Sequence, residues 1–190
     1  MDESEKIVYK VVRSRRKTFA VQVTEDGSVI VKAPFLSSDL QARSIVEKKE
    51  NWIRRTRARI LRNRSIAAKM GGKLSCEELR ELKAGARKLI PGRVEYYANI
   101  IGVRYGKVTI RAQKSRWGSC SCLGNLSFNC LLMLAPPEAL DSVVVHELCH
   151  IKQMNHSPRF YDEVRKAFPE YDRWQRWLKN NGPALMARLL

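Results

Sequence analysis

The chain has 190 residues, 44% hydrophobic and 29% charged, which is enough for one domain with a real core and an appendage. It has no run of about 20 apolar residues, which excludes a membrane-spanning helix, and the opening MDESEKIVYK lacks the apolar stretch of a signal peptide. The net charge of +17 predicts attraction to polyanions, through a basic surface suited to nucleic acid or to an anionic substrate, with steep salt dependence.

Five cysteines (Cys76, Cys120, Cys122, Cys130 and Cys149) form no even disulfide framework. Cys120 and Cys122 are spaced too closely for a zinc-ribbon pair. All five read as reduced packing residues in a cytoplasmic protein.

In chain order, Ile7–Val12, Thr18–Val23 and Val29 onward are rich in β-branched and aromatic residues. With the turn signal Glu25-Asp26-Gly27-Ser28 they predict two or three antiparallel strands ending at Ala33-Pro34. Arg13 to Lys17 (RSRRK) then forms a hairpin tip, either solvated or anion-binding. Ser37 or Ser38 caps a long helix from about Asp39 to Asn63. Its apolar stripe is Ile45, Val46, Trp52, Ile53, Ile60 and Leu61. The opposite face carries Arg43, Lys48, Lys49, Arg54, Arg55, Arg57, Arg59, Arg62 and Arg64 against only Glu47 and Glu50. Such one-sided charge repels itself, so the face is either solvated or met by acidic groups or phosphate. Lys69 to Lys73 reads as a linker, which places strands and basic helix in residues 1–70 and a second region in 74–190.

Ser75 caps the next helix, with Glu77 and Glu78 in its first turn. Pro91-Gly92 splits or kinks it, Tyr97, Ala98 and Ile101 form a buried face, and Gly102 ends it. Lys107–Ala112 is a strand. Ser115 to Leu131 reads as a hairpin turning at Leu123-Gly124-Asn125, with one strand at a sheet edge. Pro136-Pro137 opens a helix whose Val143, Val144 and Val145 lead into His146. From Pro158 to about Asn180 the chain is helical, with Phe160, Val164, Phe168 and Trp174 or Trp177 as core residues. Asn181-Gly182-Pro183 stops that helix, and Ala184 to Leu190 make a frayed or docked turn.

The stretch HELCHIKQMNH holds every histidine of the chain: His146, His150 and His156. On a helix, positions i and i+4 share a face, so two imidazoles can bind one Zn²⁺ at about 2.0–2.1 Å each. Glu147 can act as general base on a water at the metal. His156 stands ten residues after His146, the spacing of the HExxHxxGxxH peptidases, but Gln153 occupies the glycine position. Six further helical residues would turn about 600° and carry His156 off the shared face, so the helix must end and the chain swing back. Asn155 is the expected left-handed hinge. Ser157-Pro158 then starts a new helix, with Asp162 and Glu163 near its positive end.

Ser-Arg-Trp-Gly-Ser-Cys-Ser (115–121), Leu-Ser-Phe-Asn (126–129), VVVHELCH and Asn-His-Ser-Pro-Arg-Phe (155–160) together resemble the YgjP-like metallopeptidases, grouped with the SprT-like and WLM zincins. The resemblance extends to RSRRKT and DGSVIVKAP, so it covers nearly the whole chain. One departure is Tyr161, where the family often has tryptophan. The resemblance implies an α+β zincin-like core, with a backing helix, a small mostly antiparallel sheet and the HExxH helix below it. An N-terminal β-hairpin region and the long basic helix precede that core. It further implies His146, His150 and His156 as ligands and Glu147 as the catalytic residue. Relatives include peptidases and hydrolases of nucleoside triphosphates.

Three readings of the chemistry follow. The first is peptide hydrolysis: three neutral imidazoles leave a fourth zinc position open. Arg116, Arg159 and Tyr161 are candidates to stabilise the oxyanion. The Leu126–Asn129 strand pairs an extended peptide, with Gly118 permitting close approach. Trp117 and Asn129 complete the set of candidate contacts. The second is hydrolysis of a nucleotide phosphoanhydride at the same centre. No Walker motif is present, so arginines and lysines would hold the phosphates, and Ni²⁺ or Co²⁺ would suit the imidazoles as well as Zn²⁺. The third is a basic nucleic-acid-binding module with a structural metal, for which the only nearby fourth ligand is Cys149.

Overall fold

The computed structural model describes residues 6–189. Residues 1–5 of the opening segment and Leu190 of the expected terminal turn lie outside the described residues. The chain divides into two compact units, Met1–Ile66 and Ala67–Leu190.

The first unit is a three-stranded sheet backed by helix. Strands β1 (Tyr9–Ser14), β2 (Ala20–Val23) and β3 (Val29–Pro34) are ordered β1-β3-β2. β2 pairs antiparallel with β3, but β1 runs parallel to it, with Tyr9 opposite Val29. The expected all-antiparallel arrangement is therefore corrected. Because β1 and β2 flank β3 on opposite sides, RSRRK is not a hairpin tip: Arg13 and Ser14 end β1, and Arg15 to Lys17 begin a crossover. Val29, Val31 and Ala33 alternate inward along β3, and Val29 and Val31 cluster with Ala42, Val46 and Ile53.

The expected long helix is two helices, α1 (Asp39–Lys48) and α2 (Glu50–Lys69). Ser38 and Gln41 form a reciprocal capping box at the start of α1. The break falls at Lys49, where the N–H bonds the Val46 carbonyl at 3.1 Å in a tight turn. No proline or glycine marks it, so the seven-residue spacing of Val46 and Ile53 runs through unbroken. Of the expected stripe only these two are buried, while Trp52 and Leu61 are exposed.

The second unit is built on α3 (Cys76–Ile101), again started by a capping box, Ser75 with Glu78. Pro91 sits inside this continuous helix without dividing it. Ala86, Ile90, Val94, Tyr97, Ala98 and Ile101 form its buried stripe, and Gly102 ends it with φ 74°. Strands β4 (Val108–Arg111), β5 (Gly118–Cys120) and β6 (Leu126–Asn129) follow in the order β4-β6-β5. β6 is parallel to β4 and antiparallel to β5, so neither sheet is mostly antiparallel. A 3₁₀ turn, Cys130–Leu134, leads to α4 (Pro137–Cys149). α4 is buried almost all round, packed against α3, β5, α5 (Pro158–Ala167) and α6 (Tyr171–Ala187).

The expected single C-terminal helix is broken at Phe168-Pro169, since a residue before proline is pushed out of helical geometry. Phe168 has φ −145° and ψ 87°. Asn181-Gly182-Pro183, expected to stop the chain, lies inside α6. Gly182 is a notch for the Trp117 indole: a Cβ there would sit 2.8 Å from Trp117 Cζ2. Ala184–Ala187 continue α6, with Ala184, Leu185 and Met186 buried. All five cysteines are free thiols, and no described helix is long and apolar enough to cross a membrane.

Candidate metal centre

The last turn of α4 and its C-cap residue present His146 and His150 on one face, and the chain reverses so that His156 returns to them. The Nε2 atoms of His150 and His156 lie 3.2 and 3.1 Å from Nε2 of His146. Nitrogen donors about 2.05 Å from one tetrahedral ion are about 3.3 Å apart. The donor set and its spacing therefore fit a divalent ion. Among the described residues these three are the only such cluster, and buried Cys149 is not part of it.

Imidazole tautomers fit as well. His150 Nδ1–H donates to the Gln153 carbonyl at 3.1 Å, which leaves its Nε2 lone pair inward. His146 Nδ1 lies 2.7 Å from the Tyr171 hydroxyl. Ligation through Nε2 requires Nδ1–H to donate to that oxygen. Burial, with His150 and His156 adding to it, lowers the His146 pKa to about 3, and burial lowers that of His150. Both rings are thus neutral, as ligands must be. Beneath them lies buried Phe160, its ring centroid 4.9, 4.5 and 5.0 Å from those of His146, His150 and His156. Phe160 was legible only as a core residue, and Tyr171 carried no signal at all.

Asn155 is not a left-handed hinge, because no described residue other than glycine has positive φ. The reversal is made by short-range bonds instead. The N–H groups of Lys152 and Gln153 both meet the Cys149 carbonyl, and Ser157 caps α5 through the Phe160 N–H. Lys152 bonds Glu163 at 2.9 Å and ties the loop to α5. Asp162 and Glu163 lie beyond the first turn of α5 and not at its positive end.

Glu147 is 6% exposed and points at β5. A Cβ on Gly118 would stand 2.7 Å from both Cγ and Oε1 of Glu147. Gly118 thus makes room for Glu147 itself, not for a peptide. Burial pushes the Glu147 carboxyl up to about 7, against the pull of the nearby Arg116 guanidinium. A cation on the histidines would pull it back down.

The other expected contacts divide. Arg116 is exposed and close enough to act on Glu147. Tyr161 is half-buried, with its ring 6.1 Å from that of His156 and 6.4 Å from that of Tyr171. Arg159 is exposed in the first turn of α5. Trp117 packs on Gly182. Asn129 is 1% exposed and works inside the fold: its Nδ2 donates to the Gln113 and Arg116 carbonyls at 2.7 and 2.9 Å, and its Oδ1 accepts from Leu131 N–H. It tethers the loop that carries Arg116. The β6 strand cannot add a peptide, since β4 and β5 take both its edges. The edge beside Glu147 is β5.

A family model described as YgjP-like, metallopeptidase domain, matches residues 76–181. It does not take in RSRRKT or DGSVIVKAP. Two solved structures align with 48% of the chain and 94% of their own length. One is the metallopeptidase zymogen of Pyrococcus abyssi abylysin, at 26% identity and TM-score 0.44. The other is that of Methanocaldococcus jannaschii jannalysin, at 24% identity and TM-score 0.43. No curated protein matches the chain.

Proposed function

The chain belongs to the YgjP-like metallopeptidase family, and from that premise we propose that it hydrolyses peptide bonds with a divalent ion, Zn²⁺ before Ni²⁺ or Co²⁺, held by His146, His150 and His156. The observation that carries this reading is the convergence of three Nε2 atoms, with 3.2 and 3.1 Å between neighbours, while the Nδ1 atoms of His146 and His150 are engaged elsewhere. Three protein ligands leave room for substrate, whereas a structural zinc site has four. When bound, such an ion supplies Lewis acidity beside the scissile carbonyl.

Glu147 does the proton work. A water oxygen adds to the carbonyl carbon while Glu147 takes a proton from that water. The C–N bond breaks, and Glu147 returns the proton to the amine nitrogen. Arg116, on the loop tethered by Asn129, supplies positive charge for the oxyanion, with Tyr161 the neutral donor next to His156. An extended peptide would lie along the outer edge of β5, within reach of Glu147. Tyr171 acts through His146: it accepts Nδ1–H and keeps Nε2 free to ligate.

The deciding experiment assays metal-loaded protein against casein-derived peptides and against nucleoside triphosphates side by side. Chelator-sensitive peptide cleavage is expected. Triphosphate turnover without peptide cleavage would replace the reading with the phosphoanhydride one, to which the +17 charge is suited. The role of Tyr171 has its own readout. Tyr171→Phe is expected to weaken metal affinity about 10–100-fold, measured by competition with a chromophoric chelator. Unchanged affinity would remove Tyr171 from the support of the centre.

A further inference from the structure

The α2 helix is long, but little of it is used by the fold. Only Ile53 and Ala67 among its residues are buried, and it carries seven basic side chains against one acid, Glu50, which bonds Arg54. Like charges one turn apart destabilise a helix by about 0.2–0.5 kcal/mol per pair. The fold therefore tolerates a repulsive surface here.

One stripe of that surface is chemically specific. Trp52, Arg55, Arg59 and Arg62 stand at i, i+3, i+7 and i+10, on one face over about 15 Å of helix. All four are exposed, and Trp52 is 47% accessible, with only the Lys49 ammonium 5.6 Å over its ring. Among the described residues, Arg55, Arg59 and Arg62 make no ion pair. An exposed tryptophan in line with exposed guanidinium groups offers a flat stacking face and forked phosphate donors together. An acidic protein segment would use the arginines but leave the indole idle. Duplex nucleic acid would present phosphates but keep its bases stacked away from it.

We propose that the Trp52–Arg55–Arg59–Arg62 face of α2 binds single-stranded nucleic acid, with a base stacked on Trp52 and the backbone phosphates on the three arginines. It uses none of the residues of the metal centre.

The test is fluorescence anisotropy of the full-length protein with labelled oligo-dT and oligo-U, titrated over a range of salt. The two arms separate DNA from RNA. Binding is expected, and it should weaken steeply with salt. Joint replacement Arg55→Gln, Arg59→Gln and Arg62→Gln is expected to lower the slope of log K against log salt by about 2, at about 0.7 per phosphate. Trp52→Ala is expected to cost about tenfold in affinity with the slope unchanged. Circular dichroism establishes that each variant is folded. A control with the same charge change on α3, Arg80→Gln, Arg87→Gln and Lys88→Gln, should have little effect. The proposal is overturned if neither oligonucleotide binds, if the control loses as much as the α2 variant, or if Trp52→Ala binds like wild type. It is equally overturned if a duplex or polyglutamate binds as tightly as the single strand.

Discussion

Glu147→Gln is expected to lower kcat/KM on a cleavable peptide by about 10²–10⁴-fold, the range of a lost general base, with metal stoichiometry unchanged. The substitution keeps size and shape but removes the proton acceptor. Glu147 is adjacent to a ligand but is not part of the three-nitrogen cluster, so metal content should not follow activity. The carboxylate is confined between α4 and the β5 backbone, where Gly118 leaves no more room than it needs. Gly118→Ala therefore belongs to the same experiment. Its Cβ would fall 2.7 Å from Glu147 Cγ and Oε1, well inside van der Waals contact, so the carboxylate must move. A 1 Å misplacement of a catalytic group can cost about 10²-fold. Activity should fall in both variants while elemental analysis finds the same metal. Turnover persisting in Glu147→Gln would end the assignment of Glu147. Loss of metal in that variant would instead show the carboxylate to be holding the centre together.

The parts of this site that could be read from residue order are those fixed within a few residues. His146 and His150 share a face because helical periodicity is local, and Ser38, Ser75 and Ser157 cap helices through atoms three residues away. The return of His156 was also legible, since no single helix could satisfy its spacing. Asn155 was nevertheless the wrong device, because a turn can reverse the chain without any left-handed residue when its N–H groups find carbonyls. What residue order concealed depends on long-range partners. Tyr171 reaches His146 across 25 residues and two helix boundaries. Gly182 reads as a helix stop until Trp117 is seen to fill its missing side chain. Asn129 reads as a substrate contact until its amide is seen bonded to two carbonyls of a loop 13 and 16 residues earlier. The parallel pairing of β1 with β3 was hidden for the same reason, since alternation tells which face of a strand is buried and not which strand lies beside it.

Arg93→Ala should be strongly destabilising, because α4 is clamped to α3 by an ion pair whose carboxylate is nearly buried. Asp141, five residues before His146, has a side chain only 9% exposed. It accepts from Arg93 Nε at 2.7 Å and from a second guanidinium nitrogen, and from the Tyr97 hydroxyl at 3.2 Å. Burial, reinforced by the Asp141 charge, pushes the Tyr97 phenol up to about 12, so it remains a donor and cannot take over the role of a cation. Removing Arg93 leaves a carboxylate in a nearly closed site. Breaking a buried pair in this way costs about 3–5 kcal/mol. The Arg93 side chain is itself 36% exposed, which lets some solvent reach the pair and places the expected loss near the lower end. Asp141→Ala should cost less, because the freed guanidinium can turn to water. Chemical denaturation of Arg93→Ala, Asp141→Ala and the double variant closes the cycle. The double variant should be less destabilised than the sum of the singles, since it no longer leaves the carboxylate unpaired. Strict additivity would mean that the two side chains do not act as a pair. Metal affinity should fall along with stability, because the helix that presents His146 and His150 is the one the clamp holds.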